Sequence, residues 1–524
     1  MKRWLGIIVA GIVCLGVVAC GDRNEPLPGT TLHRGLGTDP ESLDPQKARS
    51  VQAADVLRDV REGLLGFSPG GELVAAGAQS WRISDDGLIV TFSLRPDARW
   101  SNGDPVTAAH YVLGLRRLVD PQIAAFYSQT VEDIVNARAV INGELPVNAL
   151  GVSAVDDLTL EIRLERPVPY LLSLLTHPST FPAHPDQGAA PITNGAYKLK
   201  EWQPGSLLQL ERNAFYWNDA ATSIDHVFYH VLTEELTELN RYRAGELHIT
   251  DNVPPERFQE VREQYGEQLR VSPYLGVYYY GFNLTRPPFQ DNPLLRHALS
   301  MAIDREVLVK KITGRGEAPA YSWVPPGTNN YNPPGLGFAE LSQDERNAIA
   351  KRLYKEAGYG DDNPLTLELR YNTSDTQQRF ALAVRAMWEQ TLGVRTSLIS
   401  EEFQVLLENI REQQVTQVFR GSWIGDYNDA QTFLALMQSG SHSNMTGYRN
   451  PEYDSLLDRA AEQVDMDRRR LFLEEAERLM LADHAVIPLY FYVSKHLVHP
   501  SVNGWQDNVL DYHYSQHLSL DAAL

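Results

Sequence analysis

The sequence predicts an α/β protein large enough for two or three domains. Three observations lead there. Roughly 500 residues follow an apolar leader, too many for one hydrophobic core. Early segments alternate apolar and polar residues at the period of a half-buried strand. A later segment runs strand, helix, strand with short links, the pattern of a βαβ unit.

The elements follow in chain order. Lys2 and Arg3 precede an apolar run, Trp4 to Val18, that ends at Ala19-Cys20-Gly21. A small residue before a cysteine at the end of such a run reads as a lipoprotein processing site. Residues 1–19 are then the signal peptide, and Cys20 is the acylated first residue. An ordinary secretory signal is the other reading. The run is shorter than the roughly 20 residues a membrane span needs. Residues 20–32, with Pro26, Pro28 and Gly29, read as a tether. Leu88, Val90, Phe92 and Leu94 alternate, as do Leu158, Leu160, Ile162 and Leu164, which predicts two strands. Ser342 and Glu345 form a capping box, and Gly358 stops the helix they open, with Ile349, Leu353 and Ala357 on its apolar face. Leu365 to Tyr371 alternates, Gln377 to Leu392 carries apolar residues at helical spacing, Gly393 stops that helix, and Val394 to Ile399 forms the next strand.

Composition narrows the function classes. A formal net charge of −20 argues against a nucleic-acid partner. The cysteines are Cys14 and Cys20, so the mature chain has no internal disulfide and no cysteine-ligated metal. No His-Glu-x-x-His, phosphate-loop or dinucleotide motif occurs, so the chain reads as a non-enzyme without cofactor or metal. The 14 histidines are scattered. His496 and His499 lack a nearby third ligand, and His513 and His517 lack a metalloprotease glutamate.

One segment carries recognition chemistry: Arg420-Gly-Ser-Trp-Ile-Gly-Asp-Tyr-Asn428. It places Asp426 between Trp423 and Tyr427. A carboxylate in aromatic packing is costly unless a cation meets it, and a peptide α-amino group is a natural one.

Several segments occur in a fixed order. They are Leu43-Asp-Pro-Gln46, Glu62-Gly-Leu-Leu65, Leu94-Arg-Pro-Asp-Ala-Arg-Trp-Ser-Asn-Gly-Asp-Pro-Val-Thr-Ala108, and Thr193-Asn-Gly-Ala-Tyr-Lys198. Glu211-Arg-Asn213 with Tyr216-Trp217, Arg243-Ala-Gly-Glu246, and Tyr274-Leu-Gly-Val-Tyr-Tyr-Tyr280 before Phe282-Asn283 complete the set. Together they resemble the oligopeptide-binding proteins of bacterial peptide ABC importers, from about Leu36 to about Gly504. The resemblance implies a two-lobed periplasmic-binding-protein type II fold with an additional inserted domain. Lobe I would comprise 33–61, 185–275 and 494–524, the additional domain 62–184, and lobe II 276–493. It implies a monomer on the extracytoplasmic side, held to the membrane through acylated Cys20. Such a protein encloses an extended oligopeptide between closing lobes and delivers it to the permease subunits of the importer. A murein peptide, a nickel chelate or haem is the alternative cargo, and peptide sensing the alternative role.

The resemblance also assigns residues. The segment around Val51 would pair with the peptide main chain. Asp426 would take the α-amino group, with Trp423 against an early side chain. Arg420 and Arg411 would take the carboxylate, and His177, Tyr274, Tyr279 and Tyr492 would line the cleft. Gly281 stands where the family has an acid, which removes one carboxylate near the ligand's amine. Asp251 replaces a pocket tyrosine, and Thr313 and Gln377 replace basic residues. The expectation is a narrower range of ligand lengths, or a modified peptide such as a cell-wall fragment.

Overall fold

A computed structural model describes residues 29–186, 191–413, 416–441 and 443–521. Cys20, the leader 1–19 and most of the 20–32 tether lie outside the described residues. Among the described residues no helix is long and apolar enough to cross a membrane.

Three large hydrophobic cores organise the chain, each built on its own sheet. In the first lobe, Thr31–Leu36 runs parallel to His226–Val231. That strand pairs antiparallel with Leu207–Arg212, and Tyr197–Gln203 forms the far edge. Helix Val51–Val60 contributes Ala53, Val56, Leu57 and Val60 to this core. The Ser50 hydroxyl caps the helix by accepting from the Ala53 N–H. Asp59, on the buried side, accepts from the Tyr229 hydroxyl and the Ser515 N–H, both at 2.8 Å. Those partners come from distant parts of the chain, so one carboxylate knits three stretches together.

The inserted domain draws its core from Leu64 to Leu175. Its antiparallel sheet runs Ala78–Ile83, Ile89–Leu94, Thr159–Arg163, Val152–Asp156. The alternation buries Val90, Phe92, Leu94, Leu160, Ile162 and Leu164, while Leu158, in the turn before its strand, stays exposed.

The second lobe is a mixed six-stranded sheet ordered Ala318–Pro319, Val486–Leu497, Leu269–Phe282, Val418–Ile424, Thr366–Asn372, Arg395–Glu401. The predicted βαβ unit is present: its strands Thr366–Asn372 and Arg395–Glu401 are parallel and joined by helix Asp375–Leu392. Ser342 and Glu345 cap helix Gln343–Glu356 reciprocally, and Gly358, at φ +93°, follows its end. Three buried residues pack across the expected divisions, Leu275 at the boundary itself and two farther from it. Phe67 and Leu510 join the second-lobe core, Phe67 with its ring 5.6 Å from Tyr512.

Two long neighbouring strands, Leu269–Phe282 and Val486–Leu497, connect the lobes. At one end Leu269 and Leu497 pack with Leu239, Val253 and Val261 beside the first lobe. At the other, Val277 to Phe282 and Val486 to Leu489 lie in the second-lobe core. Their pairing loses register between Pro273 and Val277. Proline offers no N–H to a ladder, so the pair is weakest there.

Arg305 ties the second lobe together from inside. It is fully buried, yet its guanidinium donates to the carbonyls of Ala320 (2.9 Å), Pro488 (2.8 Å) and Ser300 (3.0 Å), and to the Ser300 hydroxyl (3.0 Å). Burial lowers its pKa to about 10, which leaves it charged at neutral pH. Arg305→Met removes the donors and strands three carbonyls. Urea unfolding should show a loss of about 3 kcal/mol or more, against well under 1 kcal/mol for exposed Arg138→Met.

Candidate functional site

Asp426 sits just beyond the strand Val418–Ile424, where the chain turns closely over Leu275. A Cβ on Gly425 would lie 2.7 Å from that side chain, so glycine permits the approach. Thr432 then fixes the turn. Its hydroxyl oxygen accepts from the Asp426 N–H at 3.3 Å and from the Trp423 indole N–H at 3.2 Å. The neighbouring acid, Asp429, is fully matched: Arg469 grips it with two bonds of 2.7 Å. Tyr427 stacks on Tyr170 of the inserted domain, ring centres 5.2 Å apart. Asp426 is left over. Among the described residues no cation or side-chain donor meets its carboxylate, and burial raises its pKa to about 6.

The carboxylate faces a cavity of about 170 Å³ where all three units meet. Lobe I supplies Arg49, Ser50, Val51, Ala54 and Arg58, and the inserted domain supplies Tyr127 and His177. The hinge strand supplies Tyr274, and the second lobe Ile424 and Asp426. Val51 opens the helix Val51–Val60 and is 58% exposed. Its N–H falls in the first helical turn, where no intrahelical acceptor exists. The segment expected to meet the peptide main chain is therefore a helix start and not a strand edge. His177 is neutral: its Nδ1 accepts the Ser179 N–H at 3.2 Å, and burial, aided by Arg58, lowers its pKa to about 3. Tyr127 packs on it at 4.3 Å. Burial, with Asp511 next, raises the Tyr274 phenol pKa, so it stays protonated.

The other assigned residues lie elsewhere. Trp423 is half-buried against the second-lobe core. Arg420 stands opposite Tyr280 in the sheet and 5.3 Å from the centre of the Tyr278 ring. Tyr490 and Tyr492 also act on its charge, and its buried Nε has no acceptor. Tyr492 packs against Tyr490 at 5.3 Å. Tyr279 points into the core, edge-on to Trp323 at 4.7 Å, and does not line the cavity. Arg411 ends helix Phe403–Glu412 with its side chain 61% exposed, bonded to Glu408 at 2.8 Å. It is not among the residues that line the cavity.

Gly281 requires a correction. It was expected near the amine end, but it pairs with Phe419, next to the Tyr280–Arg420 pair. The strand near Asp426 is instead paired at Gly276 with Ile424. A Cβ on Gly281 would lie 2.3 Å from the Phe419 ring, so that ring occupies the space an acid would need. On that strand pair residue 281 shares a face with Phe419, while Arg420 and Tyr280 point to the other face, so an acid at 281 would not meet Arg420. Gln377 lies at the same end and accepts the Tyr278 hydroxyl.

Sequence reasoning missed Arg58, Tyr127 and Tyr512 as site residues. Arg58 bonds Asp55 at 3.0 Å and stacks 3.5 Å above the Tyr512 ring. Val51, Ala54 and Arg58 repeat at helical spacing, the one local signal that could have exposed the arginine.

Two lobes hinged on a pair of strands, with an unpaired acid in the cleft, define a solute-binding protein. Residues 72–445 match the family described as bacterial extracellular solute-binding proteins, family 5. The periplasmic oligopeptide-binding protein OppA of Escherichia coli K12 is 38% identical over 488 residues, covering 91% of this chain and 89% of that one. The periplasmic murein peptide-binding protein MppA of the same strain is 37% identical over 488 residues, covering 91% and 90%. A structure described as the unliganded open form of MppA superimposes with a TM-score of 0.86 at 35% identity, covering 94% of this chain and 98% of that one. The chain belongs to the family 5 bacterial extracellular solute-binding proteins, with a type II periplasmic-binding fold.

The raised pKa of Asp426 has a stability signature. Its ordinary value is 3.8 and its folded value about 6, so the folded state holds the extra proton between those limits. Stability contributed by this group is present below the window and lost as pH rises through it. Thermal unfolding of ligand-free Asp426→Asn should therefore show a gain of about 1–3 kcal/mol at pH 8 and little change at pH 4.

Proposed function

We propose that this protein captures short peptides in extended form between its lobes and hands them to an ABC importer. The observation that carries the reading is Asp426: a carboxylate without a cation, at the meeting point of three units that a hinge can bring together. A peptide α-amino group supplies the missing charge, and the bond is charge-assisted in a water-poor cleft. Asp426 and Arg420 are six residues apart, at most about 20 Å along an extended chain. We assign the peptide carboxylate to Arg420 and not to Arg411, because Arg420 lies among tyrosines with no acidic side chain paired to it among the described residues, whereas Arg411 is exposed and paired with Glu408. Main-chain contacts near Val51 are indifferent to side-chain identity, and Trp423, His177, Tyr274 and Tyr492 are assigned to the walls. The division into 33–61, 185–275 and 494–524, then 62–184, then 276–493, is proposed as the set of units that move on closure. Its cuts at 275/276 and 493/494 fall within the two hinge strands. No chemistry on the ligand is required, since differential affinity for the closed state drives closure.

The relatives include a periplasmic oligopeptide-binding protein and a periplasmic murein peptide-binding protein, and the murein peptide remains the second reading. Arg49 supports it: the residue borders the cavity, and its exposed guanidinium, 5.8 Å from the Phe126 ring, is paired with no acidic side chain among the described residues. A cell-wall peptide brings an additional carboxylate.

Calorimetry against di- to pentapeptides, their N-acetylated forms and a murein tripeptide tests both. The expected result is a preferred length and a loss of about 2–5 kcal/mol on acetylation, the cost of leaving a buried charge unpaired. Asp426→Ala should lose the distinction between free and acetylated amine. Equal affinity of the wild type for both forms would refute the amine assignment. A best ligand of murein type would select the second reading.

We also propose that acylated Cys20 holds a monomer at the extracytoplasmic membrane surface. Fractionation of Cys20→Ser should place the protein in the soluble fraction with unchanged peptide affinity. Retention in the membrane fraction counts against the anchor.

A further inference from the structure

Three side chains from the hinge strand and the C-terminal segment converge in one cluster. His496 leaves the hinge strand Val486–Leu497, and Asp511 and His513 come from the C-terminal segment. His496 Nε2 lies 2.9 Å from Asp511 Oδ1, and His513 Nε2 lies 3.0 Å from the same oxygen. The three ligand atoms all fall within 4.8 Å of one another, the one such group among the described residues. The side chains are 12%, 22% and 6% exposed, so the group is sheltered yet reachable from the carboxylate side.

The orientation is that of a prepared ligand set. His496 Nδ1 lies 2.8 Å from the Thr250 carbonyl, which can only accept. That bond places a proton on Nδ1 and turns Nε2 inward, the outer arrangement that metal-bound histidines use. His513 is fixed by Trp505, stacked at 3.6 Å and 16°. Asp511 adopts φ +58°, a backbone conformation rare for a residue with a side chain. Asp251, directly after Thr250, adds a second carboxylate acting on His496. Without a cation, His496 must hold protons on both nitrogens, because both face acceptors.

We propose that His496, Asp511 and His513 bind a divalent transition cation of the zinc class through two imidazoles and one carboxylate. In a tetrahedral zinc site, bonds of about 2.0–2.1 Å set ligand atoms about 3.3 Å apart, so the two His–Asp edges need only a small adjustment. The cation takes the place of the His496 Nε2 proton, which is released to solvent. On His513 the proton moves from Nε2 to Nδ1. Two imidazoles with one carboxylate suit zinc, nickel or copper and not calcium or magnesium. The site is separate from the peptide cavity and stands whichever cargo that cavity takes.

Chelator-treated full-length protein is titrated with Zn²⁺ by calorimetry and with Co²⁺ by visible absorption. One ion per chain is expected, with the absorption of a four- or five-coordinate Co²⁺ site. His513→Ala and Asp511→Asn, each checked by thermal melting, should weaken Zn²⁺ binding by at least about tenfold. Two variants keep the test decisive if one fails to fold. His230→Ala is the control. It belongs to the other histidine group, where His33 Nδ1 already bonds His230 Nε2 at 2.9 Å and the His33 N–H occupies His248 Nδ1. It should leave binding unchanged. The proposal is overturned by absence of stoichiometric binding, by affinity unchanged in both folded variants, or by loss of binding in His230→Ala.

Discussion

Everything in this molecule hangs on the antiparallel pairing of two strands, Leu269–Phe282 and Val486–Leu497. They are the central strands of the second lobe and also end in the small core beside the first. Each end is anchored by burial, while the ladder between is interrupted at Pro273. The lobes can therefore rotate about the middle of the pair without unfolding either core. The recognition groups are arranged along the same sheet. Strand Val418–Ile424 pairs with the first of them and carries Arg420, Trp423 and, just past its end, Asp426.

Buried charge is distributed unevenly, and the unevenness locates function. Asp429 has Arg469, Asp59 has Tyr229 and Ser515, and Arg305 has a ring of carbonyls. These groups are matched within the protein and so hold shape. The Asp426 carboxylate meets no cation among the described residues, whereas the free Nε of Arg420 is a feature it shares with several buried arginines, Arg58, Arg61 and Arg469 among them. An unmatched charge in a sheltered place is unstable by itself and becomes stabilising only when something else supplies the counterpart. The cleft is thus marked by what its side chains lack more than by its size.

Much of this was legible in the sequence. The alternating runs at Val90 and Leu160, the capping box at Ser342 and the βαβ unit after Leu365 are local patterns, and local geometry decides them. Asp426 was legible too, since an acid among aromatics within a few residues is a local signal. What was not legible depends on register and on distant stretches meeting. The neighbour of Gly281 is set by which residue of the adjacent strand lies opposite, and spacing along one strand does not carry that. Tyr279 shares a strand with Tyr274, yet the two have different surroundings, because residues five apart on a strand point to opposite faces of the sheet. The His496, Asp511 and His513 cluster joins a strand to a later loop, and neither segment alone hints at the other. Arg411 was assigned by likeness to relatives, and its actual neighbour, Glu408, is one helical turn away.

The first lobe has a consequence for the order in which the protein can be made. Its core mixes residues near Leu32 and Val56 with Val498, Val502 and Leu518, and Asp59 waits for the Ser515 N–H. The inserted domain, by contrast, draws its core from one continuous stretch, Leu64 to Leu175. As the chain emerges amino end first, the inserted domain can complete itself early, whereas the lobe that begins the chain must stay open until nearly the last residue arrives. Contacts of such separation form slowly. The inserted domain can thus stand folded inside a lobe that is still open, and the first lobe closes around it only when the C-terminal segment arrives.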